Sequence, residues 1–238
     1  MNINFPKNKI FLADLILQRT DGFIKCGGGS FLSNWMNGDN KEHLANYLIE
    51  NGKYESFMKY TMRSYLEEVS EFTNFFDIEK EKNLISIGPG NGFFELLLFQ
   101  KVKFKKILLI DIEKTDTQNH GFNQNGSGYA NLINTKSFLV NNGIKSEVIK
   151  VCNPEVQKLP KFKFDLLISL FSMGFHYPCD SYLNYIIENS SDKSKVIYDK
   201  RKNIKDTGHE KLQMTFKKIK KLSKLKHDRI SMIKEKNK

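Results

Sequence analysis

The first 76 residues carry apolar positions at helical spacing. Residues 8–20 place Ile10, Phe11, Leu12, Leu15 and Ile16 along such a stretch. Lys25-Cys26-Gly27-Gly28-Gly29-Ser30 then breaks the pattern, as either a plain connector or a loop facing a substrate. Residues 40–51 and 54–76 predict two further helices, the second with Phe57, Met58, Met62, Tyr65, Leu66, Val69 and Phe72 as its stripe. From residue 83 the pattern alternates. Strands are expected at Asn83–Ile87, Ile107–Asp111, Glu147–Val151, Phe164–Leu170 and Lys195–Tyr198, and helices at Gly92–Gln100, Tyr129–Asn142 and Asp180–Asn189. Short apolar strands separated by helices predict a mostly parallel sheet with helices on both faces, in a doubly wound α/β fold. The division this implies is a helical segment over 1–76 and an α/β unit over 77–238. Residues 207–217 suit a short helix. Lys218–Glu235 reads two ways: a basic amphipathic helix through Ile219, Leu222 and Leu225, or a hairpin turning at Lys226-His227-Asp228 into a strand Arg229–Lys234.

One stretch carries chemistry. Residues 84–95 read Leu-Ile-Ser-Ile-Gly-Pro-Gly-Asn-Gly-Phe-Phe-Glu, a strand running through a glycine-rich turn into a helix. Gly88, Gly90 and Gly92, with Pro89 between the first two, let backbone N–H groups approach a ligand, because glycine has no Cβ and tolerates positive φ. Asp111 ends the next strand, about 20 residues on, where a carboxylate can take ribose hydroxyls. The spacing is G-x-G-x-G, whereas the dinucleotide fingerprint is G-x-G-x-x-G.

Strand, glycine triplet, helix, strand and acidic strand end, in that order, resemble the class I S-adenosylmethionine-dependent methyltransferases. The resemblance spans roughly residues 60–235 and implies a seven-stranded sheet closed by an antiparallel hairpin, which favours the hairpin reading of the C-terminus. It implies S-adenosylmethionine as cofactor and an N-terminal helical lid that shapes the substrate pocket. It places Ile112 against the adenosine, Asn153 near the adenine amine, and Leu170 at the cofactor side of the loop 171–178. In this family that loop faces the substrate. His176 is the first candidate for a base that takes a proton from an acceptor hydroxyl, with a positioning role as the alternative, and Tyr177 is the second candidate. The chain departs from the family at Ser86, where an acidic residue often helps to hold the turn and the methionine amine. It reads Leu170-Phe171-Ser172-Met173 where amino-methyltransferases carry Asn/Asp-Pro-Pro-Tyr/Phe, which argues for an oxygen acceptor. Ser-Met-Gly-Phe-His-Tyr-Pro and Asp199-Lys200-Arg201-Lys202-Asn203 also resemble bacterial methyltransferases tied to surface-glycan and small-metabolite pathways. A small-molecule or glycan acceptor is expected. An RNA acceptor and a non-catalytic binding subunit are the rivals.

Composition narrows this in a few respects. The net charge of +11 is confined to residues 200–238, which hold 15 Lys and Arg against 4 Asp and Glu; the rest is neutral. This segment is either a solvated lysine face or a surface for an anionic partner. Only four arginines occur, and Arg is the residue suited to bidentate phosphate and base contacts. Three scattered cysteines suit neither a disulfide framework nor a zinc site, and no metal ligand spacing stands out. No run of 18 apolar residues occurs, and the N-terminus lacks a signal-peptide layout, so a cytoplasmic protein is expected. A polar stretch, Lys114 to Gly128, follows the second strand; it either contacts substrate or loops into solvent.

Overall fold

The computed structural model describes residues 3–6, 8–78, 82–113 and 131–235. Five helices come first: α1 (Lys9–Gln18), α2 (Thr20–Lys25), α3 (Gly29–Met36), α4 (Glu42–Glu50) and α5 (Tyr54–Phe76). Then follow β1 (Asn83–Ile87), α6 (Phe93–Lys101), β2 (Lys106–Ile110), α7 (Leu132–Asn141), β3 (Ile149–Cys152), β4 (Phe164–Ser169) and β5 (Ser172–Tyr177). The chain continues through α8 (Leu183–Asn189), β6 (Ser190–Arg201), α9 (Thr207–Thr215), β7 (Phe216–Ser223) and β8 (His227–Lys234).

Seven strands form one sheet in the order β3-β2-β1-β4-β6-β8-β7. The pairs β3/β2, β2/β1, β1/β4 and β4/β6 are parallel, and β8 runs antiparallel to both its neighbours. Successive strand residues point to opposite faces, so each strand feeds two buried clusters. Leu84, Ile107, Leu109, Leu166, Ile168 and Ile197 join one cluster with α6, α7 and the N-terminal helices. Ile85, Ile87, Leu108, Leu167, Val196 and Tyr198 join the other with α8 and α9. The N-terminal helices are therefore packed into the same core as the sheet: Phe11, Leu15, Phe57 and Phe72 share their cluster with Phe93 and Phe138.

The strand order reverses between β1 and β4. Beyond the carboxyl ends of those strands the connections diverge and leave a crevice, the usual ligand position in such sheets. Among the described residues no helix is long and apolar enough to cross a membrane.

Three expectations need correction. The glycine run is shorter as a connector than its composition suggests, because α3 begins at Gly29. The expected loop 171–178 contains a strand, β5. The C-terminal hairpin turns at residues 224–226 rather than at 226–228, and His227 already pairs with Arg201. The polar stretch Lys114 to Gly128 lies outside the described residues.

Candidate functional site

The glycine turn is squeezed from two sides. Gly88 has φ +70° and Gly90 φ +57°. A Cβ on Gly88 would lie 2.2 Å from Ser172 Oγ on β5, and one on Gly90 would lie 2.5 Å from the Gln18 side chain at the end of α1. A side chain at Gly88 would clash with Ser172; at Gly90 the end of Gln18 could move aside, but at both positions the positive φ strains any other residue. Gly92, φ +76°, is the N-cap of α6. Asn91 fixes the turn to the N-terminal helices, its Nδ2 donating to Phe11 O at 2.8 Å.

A cavity of about 470 Å³ opens at this turn. Gly88, Pro89, Gly90, Asp111, Ile112 and Leu170 line it, as do His176 and Tyr177. Ser86 lies beneath, buried. Besides Ser86, two other expected residues are not part of the wall. Gly92 packs against Thr135 and Leu139 on α7. Asn153 is spent on its neighbours: its Nδ2 donates to Ile112 O at 3.3 Å and Glu113 Oε2 at 3.0 Å, and its Oδ1 accepts from Glu155 N at 2.9 Å. It braces the Asp111–Glu113 backbone.

Further wall residues are not among the expected site residues: Gln18 and Arg19 at the α1–α2 junction, Tyr65, which the sequence places only in the α5 stripe, Glu68 on α5, and Glu95 in the first turn of α6. Glu95 brings a carboxylate to Ser86. Ser86 Oγ donates to its Oε1 at 2.6 Å, while its Oε2 is buried and has no partner among the described residues. Burial pushes the Glu95 carboxyl up to about 7, and the Ser86 hydrogen bond offsets only part of this. A sequence signal existed in the single acid inside the apolar run Phe93-Phe94-Glu95-Leu96-Leu97-Leu98.

Asp111 behaves similarly. Its Oδ1 accepts from Glu113 N at 3.0 Å, and burial still raises its carboxyl to about 7. Glu68 is the opposite case. Burial would raise it, but Arg19 and Arg229 overcome that and hold it at about 2. Arg19 also stacks on Tyr65, its guanidinium carbon 3.6 Å from the ring centre. The amide nitrogen of Gln18 and Nε of Arg19 are buried donors without acceptors among the described residues. Tyr177 bonds Ser172 Oγ at 2.9 Å, and burial pushes its phenol well up, so it stays protonated. Such a group suits hydrogen-bond donation better than proton abstraction. His176 lies against Phe175, ring centres 5.0 Å apart. Among the described residues no group of three His, Cys, Asp or Glu side chains is arranged to hold a metal.

The architecture has solved counterparts. The N-methyltransferase NodS of Bradyrhizobium japonicum, solved with S-adenosyl-L-homocysteine, superposes with TM-score 0.50 at 9% identity, over 74% of this chain and 87% of its own. A protein of Methanococcus maripaludis described as an S-adenosyl-L-methionine-dependent methyltransferase gives 0.51 at 17% identity, over 73% and 86%. The fold is that of the class I methyltransferases. A Nostoc punctiforme protein described as an O-methyltransferase shares it, with TM-score 0.51 at 12% identity, over 76% of this chain and 59% of its own. No protein-family model matches the sequence, and no curated protein matches it. Within the methyltransferase fold the cavity occupies the crevice where β1 and β4 diverge. Its wall pairs a carboxylate oxygen of Glu95 with the amide nitrogen of Gln18, both without a partner among the described residues. That donor set fits the zwitterionic end of an amino acid, and Asp111 fits a diol.

Proposed function

We propose that the protein is an S-adenosylmethionine-dependent methyltransferase acting on an oxygen of a small molecule or glycan precursor. The observation that carries this is Glu95. A buried carboxylate with a free oxygen, beside a glycine turn and one strand from a buried aspartate, is a costly arrangement without a ligand. Glu95 Oε2 would take the methionine ammonium and Gln18 Nε2 its carboxylate. Asp111 would take the ribose hydroxyls, with Ile112 against the adenosine. When bound, S-adenosylmethionine supplies a methyl group on a sulfonium, activated for in-line displacement. The chain's own work is then orientation, exclusion of water and movement of one proton. Helices α1–α5 would serve as the roof, since Gln18, Arg19, Tyr65 and Glu68 line the cavity opposite the sheet. His176, on the wall that carries Tyr177, would accept the proton from the acceptor hydroxyl, and Tyr177 would donate a hydrogen bond.

Calorimetric titration with S-adenosylmethionine and S-adenosylhomocysteine tests the reading, with NADH as control. Micromolar binding of the first two and none of the third is expected. Asp111→Ala should weaken it about tenfold or more, the size of effect that loss of a hydrogen bond to a charged group produces. No binding of either sulfur compound would overturn the assignment. Full binding by Asp111→Ala would remove the ribose role.

A further inference from the structure

A second cavity, of about 720 Å³, adjoins the first. Arg19, Glu68 and Phe171 line both, so the two spaces meet at these three side chains. Beyond them the second cavity runs between α5 and the β7–β8 turn. Its lining holds four cationic side chains, Arg19, Lys224, Lys226 and Arg229, against three carboxylates, Glu67, Glu68 and Glu71.

The carboxylates are already matched. Glu68 Oε1 accepts from Arg229 at 2.7 Å, and its Oε2 accepts from Arg19. Both oxygens of Glu71 accept from Lys224 Nζ, at 2.6 and 2.5 Å. Glu67 Oε1 accepts from Arg63 at 2.8 Å. Behind them Asp199 gives both oxygens to Arg229, at 2.7 and 2.9 Å. The donors are not matched. Among the described residues Arg19 Nε is buried without an acceptor, and neither ring nitrogen of His227 has a partner; burial favours the neutral ring, which has one N–H to donate. His227 Nε2 is 3.5 Å from Asp199 Oδ1 but makes no hydrogen bond to it. The ring is clamped edge-on by Phe171 and Phe175, at centroid distances of 4.8 and 5.8 Å. Lys226 is exposed and has no side-chain partner among the described residues.

What this cavity lacks is therefore an acceptor of hydrogen bonds that carries negative charge. We infer that the second cavity binds the methyl acceptor by an anionic group, a carboxylate or a phosphate monoester, held by Arg19, Lys226 and His227. That the anion belongs to the methyl acceptor rests on the methyltransferase reading; the anion site itself does not. Bound there, such a molecule would pass Phe171 into the first cavity, whose wall carries His176. Phe171 is set for that role. It is 42% exposed, adopts φ +51°, and its N–H donates to Asp199 Oδ2 at 3.2 Å. Ionic hydrogen bonds in a partly enclosed site are the strong ones.

The test titrates the full chain with inorganic phosphate and with sodium acetate, each with and without saturating S-adenosylhomocysteine. Saturable binding of at least one anion is expected, with phosphate or acetate preference identifying the group. S-adenosylhomocysteine should not displace it. Lys226→Glu, at an exposed position that leaves the core intact, should weaken it about tenfold, as should His227→Gln, with S-adenosylhomocysteine affinity unchanged in both. The inference is overturned if neither anion saturates, if Lys226→Glu binds like the parent, or if S-adenosylhomocysteine competes, which would return Arg19 to the cofactor. Anion binding without S-adenosylhomocysteine binding would sink the methyltransferase reading and leave the site standing. The reverse pattern would do the opposite.

Discussion

Glu95 and Asp111 show how single residues trade stability for a site. Each is buried, and each has its carboxyl raised to about 7, from ordinary values of 4.5 and 3.8. Between those limits the folded protein holds a proton that the unfolded chain has lost, so stability falls as pH rises through this window. A tenfold difference in proton affinity between the folded and unfolded chain is worth about 1.4 kcal/mol, so the full cost at alkaline pH is on the order of a few kcal/mol per group. Glu95→Gln keeps the shape and the Ser86 hydrogen bond while removing the charge. It should be more stable than the parent by about 1–3 kcal/mol at pH 8 and nearly equal to it at pH 4.5. Urea unfolding at the two pH values checks this; equal stability at both would mean that Glu95 is not the source of strain. The same variant should lose about tenfold or more in S-adenosylhomocysteine affinity, read by calorimetry. This residue was legible in principle. The turn and Asp111 are local patterns and could be read directly, whereas the Ser86–Glu95 pair depends on a helix folding back over its own strand.

At the scale of elements, period was the legible quantity and partnership was not. The stripe on α5 predicts its range, Tyr54–Phe76, because the periodicity is long. The C-terminus was ambiguous because Ile219, Leu222 and Leu225 repeat every three residues. Ile219 and Leu225 are 44% and 91% exposed, so they form no buried stripe. The alternation in β8, with Ile230 and Met232 in one cluster, decides for a hairpin. Nothing local predicts that Glu68 of α5 joins Arg19 at the α1–α2 junction to Arg229 of β8. This carboxylate ties the N-terminal helices to the far side of the sheet. It is held at about 2 in place of 4.5, so its contribution is complete above 4.5 and is lost as pH falls toward 2. Glu68→Gln should therefore cost about 3 kcal/mol at pH 7, leaving two arginines short of a charge. The gap to the parent should narrow toward pH 3, as urea unfolding at the two pH values would read. An unchanged gap at pH 3 would make the loss one of packing rather than of ionisation.

Over the whole molecule the charge is lopsided, and the structure shows what the lysines meet. β7 is the outer strand of the sheet, and Lys217, Lys218, Lys220 and Lys221 along it are exposed. Lysines on an outer strand deter edge-to-edge pairing with another chain. Several also have local partners: Lys220 with Asp77 at 2.5 Å, Lys221 with Asp228 at 3.7 Å, Lys224 with Glu71 at 2.5 Å. A surface that has already spent part of its charge on its own carboxylates releases fewer counterions when it meets a polyanion. Single-stranded RNA should accordingly bind weakly, in the range of about 10⁻⁴–10⁻⁶ M for sequence-independent contact, with a shallow dependence on salt. Because the cavity at the glycine turn lies beyond the ends of β1 and β4 and Lys217, Lys218, Lys220 and Lys221 line the outer edge, S-adenosylhomocysteine should leave that binding unchanged. Fluorescence anisotropy of a labelled oligonucleotide at two salt concentrations, with and without S-adenosylhomocysteine, measures both quantities. Tight binding that survives physiological salt and strengthens with S-adenosylhomocysteine would replace the small anionic acceptor with RNA, and the β7 edge would then be its phosphate track.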